Sequence, residues 1–106
     1  MINIKEQMVN TINHYGIEHQ RDKLCEEFRE LQDELYYLQE HEYHRTNLLS
    51  EGVDVINLTL QFLFSRGFTE DDVIQELSFK VNRQTKRIKE ENIRLRDHSP
   101  EELVFY

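Results

Sequence analysis

Apolar residues recur along this chain in steps of three and four, and sustained alternation of the strand type is absent. The pattern predicts four helices. The first, residues 4 to about 15, carries Ile4, Met8, Val9, Ile12 and Tyr15 and stops at Gly16, a residue suited to a helix C-terminus. The second, from about 18 to 43, holds a seam of Leu24, Phe28, Leu31, Leu35 and Leu38 in alternating steps of four and three. A polar stretch at 44–47 separates it from the third helix, about 48 to 65, which closes near Gly67. Thr69 with Asp72 three places on resembles a capping box with Asp in place of Glu, and opens a fourth helix to about Arg96. Ser99 and Pro100 end that helix. The expectation is an all-α four-helix bundle, residues 1–97 forming one helical domain and 98–106 a short C-terminal tail.

The third helix says most about architecture. Val53, Val55, Ile56, Leu58, Leu60, Phe62, Leu63 and Phe64 make it apolar almost all round, which predicts a central, buried helix. Its polar residues Glu51, Asp54, Asn57 and Gln61 fall in one stripe about 120° wide at 100° per residue. Such a stripe on a central helix faces something polar inside the bundle. On the second helix, Glu27, Glu30 and Glu34 lie along the edge of the leucine seam, whereas Glu26 and Asp33 point towards solvent.

Charge sharpens this picture. Thirteen Lys and Arg against twenty-one Asp and Glu give a formal charge of −8, which argues against a general nucleic-acid binder. The balance is uneven: residues 18–76 hold fifteen acids and five bases, residues 80–96 seven bases and two acids. The single cysteine, Cys25, excludes an internal disulfide. It lies beside the apolar stripe and reads as a small buried or half-buried residue. No signal-peptide pattern opens the chain and no run reaches the ~18 uninterrupted apolar residues of a membrane span. These features predict a soluble, cytoplasmic protein.

Two acidic pairs remain, Glu27-x-x-Glu30 and Glu51-x-x-Asp54, each on one helix face. Four carboxylates brought together repel and lose hydration unless a cation joins them. Oxygen ligands suit Mg²⁺ or Mn²⁺, and such ions bind and polarise polyphosphates. The negative charge left on a polyphosphate calls for bases, and Lys80, Arg83 and Arg87 share a face of the fourth helix with Lys86 nearby. A di-iron bundle is disfavoured, because no Glu is followed by His at the third place. His41 and His44 read as surface residues rather than zinc ligands. Neither a Gly-x-Ser-x-Gly elbow nor a phosphate-binding glycine loop is present. Tyr15, Tyr36 and Phe79 have the rings to stack on a base, with core packing as the default reading of each.

The run Lys23-Leu-Cys-Glu-Glu-Phe-Arg-Glu30 followed by Glu51-Gly-Val-Asp54-Val-Ile-Asn57 resembles the Glu-x-x-Glu…Glu-x-x-Asp signature of the MazG-like all-α nucleoside triphosphate pyrophosphohydrolases, over about residues 20–90. The stretch from Arg66 to Leu77 is also similar to the related phosphoribosyl-ATP pyrophosphohydrolases, but the basic helix that follows is closer to the Lys…Asn…Arg segment of MazG-like proteins. The resemblance implies that Glu27, Glu30, Glu51 and Asp54 bind Mg²⁺. It also implies cleavage between the α- and β-phosphates of a nucleoside triphosphate, giving a monophosphate and pyrophosphate. Lys80, Arg83, Lys86 and Arg87 become candidates for phosphate contact, and Asn57 and Asn82 for sugar or base. A homodimer or homotetramer, in which helices of two chains complete each site, is implied as well. The competing expectation is a non-catalytic helical oligomer that binds a metal or a basic protein through its acidic groove.

Overall fold

Asn3 starts the first helix by accepting the Glu6 amide on its side chain at 2.8 Å, an N-cap that satisfies one of the free amides of the first turn. The computed structural model describes residues 3–38 and 45–97, and among these it is all-helical: α1 Ile4–Tyr15, α2 Ile17–Leu38, α3 Arg45–Ser65 and α4 Glu70–Asp97.

Glycines make the two interhelical turns that the described residues include. Gly16 ends α1 with φ +91° and ψ 158°, where its amide donates to the Ile12 carbonyl at 2.8 Å, and α2 begins at the next residue. That region of backbone space is essentially reserved for glycine. Gly67, at φ +90°, closes α3: its amide reaches the Phe64 carbonyl at 3.0 Å and the Phe68 amide reaches the Leu63 carbonyl at 3.2 Å. This crossed pair is a Schellman motif. Thr69 then precedes α4, with three acids in the first turn where the helix dipole favours them.

The first three helices form one compact unit, in which α3 packs against both α1 and α2. Ile12, Leu58 and Phe64 are its buried apolar residues, and Lys5 sets its ammonium 5.4 Å from the centre of the Phe64 ring. α4 is a second unit. Apart from half-buried Val73, its side chains are exposed, those of Asp97 lying outside the description.

Several expectations are corrected. α3 begins at Arg45, so residues 45–47 of the polar stretch are helix; polar residues are compatible with a helix, and apolar periodicity does not register them. The seam of α2 is also shifted. The side chains withdrawn from solvent are Gln20, Leu24, Glu27, Leu31 and Glu34, whereas Phe28 and Leu35 are about half exposed. The step of four and three is retained, but two leucine-seam positions give way to polar ones. On α3, Val53 and Ile56 are likewise half exposed, so that helix is central to its unit without being enclosed. Cys25 is exposed because the withdrawn stripe runs through 24 and 27 and leaves 25 on the far side. Tyr15, Tyr36 and Phe79 are exposed too, against the core reading. The expected end of the second helix at about 43, His41 and His44, Ser99 and Pro100 and the tail 98–106 lie outside the described residues. No described helix is long and apolar enough to cross a membrane.

Candidate metal centre and adjoining cleft

The shifted seam explains how the acids meet. Glu27 projects from the middle of the withdrawn face of α2 and is only 6% exposed. Glu51 and Asp54, one turn apart on α3, look across at it. Carboxylate oxygens of Glu27, Glu51 and Asp54 all lie within 4.8 Å of one another. Glu30, one turn beyond Glu27 and exposed, also acts on Glu51. The polar stripe of α3 thus faces the polar positions of α2.

Among the described residues nothing neutralises this group fully. Lys23, one turn before Glu27 on α2, brings its ammonium to 3.4 Å from Oε1 of Glu27 and 3.7 Å from Oε2 of Glu26. The hydrogen bond to Glu27, and then the charges of Glu26 and Glu27, hold the Lys23 pKa above its usual value. The other oxygen of Glu27, Oε2, and Oε2 of Glu51 are shut off from solvent with no hydrogen-bond partner. Lost hydration pushes the Glu51 carboxyl up to about 7, and the neighbouring Glu30 and Glu27 carboxyls act in the same direction by favouring a proton between the groups. A buried carboxylate oxygen without a donor is costly, and either a proton or a cation relieves it. The hard oxygen donors present fit Mg²⁺ or Mn²⁺.

A cleft of about 510 Å³ opens beside the acids, between α1, α2 and α3. Lys23, Glu26, Glu27 and Asp54 line one part of it, and Tyr15 and His19 line another. Between them the α2–α3 interface carries a chain of polar side chains. The Nδ1–H of His19 donates to Oε1 of Gln20 at 2.7 Å, Nε2 of Gln20 donates to Oε1 of Gln61 at 2.7 Å, and Nε2 of Gln61 donates to Oδ1 of Asn57 at 3.2 Å. Gln20 and Gln61 are 4% and 2% exposed.

The remaining predicted site residues, Lys80, Asn82, Arg83, Lys86 and Arg87, stand exposed on α4 and are described on that helix alone. There Lys80 pairs with Glu76 at 3.8 Å, Lys86 with Glu90 at 4.0 Å, and the Arg83 guanidinium lies 5.9 Å from the centre of the Phe79 ring. Sequence reasoning assigned no role to Lys23, Gln20 or His19. The spacing held a signal: Gln20 and Lys23 lie seven and four places before Glu27, on its side of a helix.

The chain matches no family model, no curated protein and no solved structure.

Proposed function

We propose that the protein is a divalent-metal-dependent nucleoside triphosphate pyrophosphohydrolase of MazG-like fold, cleaving the α–β phosphoanhydride of a ribo- or deoxyribonucleoside triphosphate. The observation that carries the reading is the pair of solvent-excluded carboxylate oxygens, Oε2 of Glu27 and Oε2 of Glu51, left without donors on facing helices. Such a site is unfavourable as apoprotein, and carboxylate groups of this kind are built to hold cations. The resemblance of the Glu27, Glu30, Glu51 and Asp54 quartet to the MazG-like signature supplies the substrate class.

In this reading Glu27, Glu51 and Asp54 hold Mg²⁺ or Mn²⁺ and Glu30 completes the set. When bound, the metal supplies a Lewis acid for the phosphates and lowers the pKa of water near them. Glu51 gives up its proton as the cation binds, since the two compete for the same oxygens. Lys23 exchanges Glu27 for phosphate oxygen, which keeps its charge paired. Lys80, Arg83, Lys86 and Arg87, with Asn82 on the same helix, remain the candidates for phosphate, sugar or base contact that the resemblance implies, and a homodimer or homotetramer is the assembly it implies. One water is consumed per turnover, and the products are a nucleoside monophosphate and pyrophosphate.

Coupling between metal and nucleotide tests this reading. Calorimetric Mg²⁺ affinity should rise when a non-hydrolysable triphosphate is present. A groove that merely docks a basic protein would show salt sensitivity and no such coupling.

A further inference from the structure

The acids occupy only one part of the cleft. In another part, the rings of Tyr15 and His19 lie nearly parallel, with centroids 4.8 Å apart and planes inclined by 14°. Tyr15 is 54% exposed, so this flat pair is presented rather than buried. Its orientation is fixed from below. The Oε1 of Gln20 is an acceptor only, so His19 must carry its proton on Nδ1, and Gln20 is in turn held by Gln61.

The same chain fixes Asn57. Because Oδ1 of Asn57 accepts from Gln61, its Nδ2 amide is the polar atom left to the cleft that Asn57 lines. A donor is therefore offered on the wall of the cleft that the ring pair and the carboxylates also line. Two glutamines, each more than nine-tenths buried in a helix interface, are a costly way to pack, since apolar residues of similar size would serve without desolvating amides. Both ends of the chain, His19 and Asn57, emerge on the wall of one cleft. This continuity points beyond packing.

We infer that this half of the cleft receives the sugar and base of a nucleotide, the base lying on the Tyr15–His19 pair and an acceptor oxygen of base or sugar taking the Asn57 amide. Gln20 and Gln61 are positioning residues: they touch no ligand and set the sense of Asn57 and the ring of His19. The inference rests on the triphosphate reading, because it takes the carboxylate end as the phosphate end.

The test is calorimetry on the full chain in Mg²⁺ with two probes, an α,β-methylene nucleoside triphosphate and inorganic tripolyphosphate, which lacks sugar and base. Mn²⁺ binding is measured alongside. Gln20→Leu/Gln61→Leu removes both buried partners together, so neither is left unsatisfied and the fold is kept. This double variant should bind the nucleotide analogue about tenfold more weakly, with tripolyphosphate and Mn²⁺ affinities unchanged. Asn57→Ala, at an exposed position, should do the same. Tyr15→Ala should cost ten- to a hundredfold, the order of a lost base stack. If an analogue lacking the base carbonyl escapes the Asn57→Ala effect, the acceptor is on the base; if one lacking the 3′-hydroxyl escapes, it is on the sugar. Either result supports the inference. Variants that bind the nucleotide analogue as tightly as wild type overturn it while the triphosphate reading stands. A wild-type protein that binds neither probe overturns both.

Discussion

The ammonium of Lys23 lies 3.4 Å from Oε1 of Glu27, while Oε2 of the same carboxylate has no partner. A half-neutralised, buried glutamate is therefore the hinge between α2 and the acids of α3. Lys23→Gln removes the only ion-pair partner found for Glu27 among the described residues. The metal-free protein should melt lower than wild type, because Glu27 loses its compensation. Its Mg²⁺-induced rise in Tm should be larger, because a competing positive charge has gone. Equal Mg²⁺ shifts in the two proteins would separate Lys23 from the metal site.

Glu51 sets a pH dependence. Its carboxyl is raised from 4.5 to about 7, so in the fold it holds a proton that the unfolded chain has released between those values. The native state then binds more protons than the unfolded state, and stability falls with rising pH. This contribution is fully present below about 4.5 and is lost as pH passes about 7. Urea midpoints in chelator should therefore decline over that window, most clearly against Glu51→Gln, in which the contribution is absent. Mg²⁺ affinity should show the opposite trend and rise up to about pH 7, as the proton leaves the ligand. Identical pH profiles for wild type and Glu51→Gln would refute the assignment.

Replacing carboxylates by amides should separate stability from activity. Asp54→Asn and Glu30→Gln keep side-chain shape and relieve repulsion, so metal-free Tm should stay level or rise. Turnover should drop by at least about a hundredfold, since even residues that only orient a metal ligand cost ten- to a hundredfold when changed. Circular dichroism would verify the helices, and unchanged turnover in both variants would remove these residues from the site.

The α1–α2 turn depends on Gly16. A Cβ there meets nothing within 4 Å, so Gly16→Ala is a backbone experiment without a steric clash. At φ +91° and ψ 158° the substitution should cost about 1–3 kcal/mol. Denaturant midpoints should fall accordingly, and because Tyr15 and His19 flank this turn, nucleotide affinity should fall with them. A neutral substitution would mean that the turn is not held as described.

Much of this architecture was legible in residue pattern. The boundaries at Gly16 and Gly67 follow from glycine chemistry, and the polar stripe of Glu51, Asp54, Asn57 and Gln61 anticipated a polar interface with α2. The face of α2 was misplaced, because leucines attract the eye and a seam containing Gln20 and Glu27 does not look like a core. Periodicity gives the repeat of a helix but not its phase when polar residues are buried for a purpose. The chain from His19 to Asn57 was hidden for a further reason: Gln20 and Gln61 are forty-one positions apart, and only the packing of α2 on α3 joins them. Of the three acids that meet, Glu27 was already separable from Glu26 and Asp33 by its place at the seam edge, and Glu51 and Asp54 by their place in the polar stripe of the third helix.

The central claim is cleavage of a nucleoside triphosphate at the α–β bond. Its most direct measurement is the release of pyrophosphate from a panel of ribo- and deoxyribonucleoside triphosphates, with Mg²⁺ or Mn²⁺ and with chelator. The expected result is metal-dependent formation of pyrophosphate and the matching monophosphate in equal amounts, abolished by chelator. A folded protein that releases no pyrophosphate from any nucleotide with either metal would contradict it.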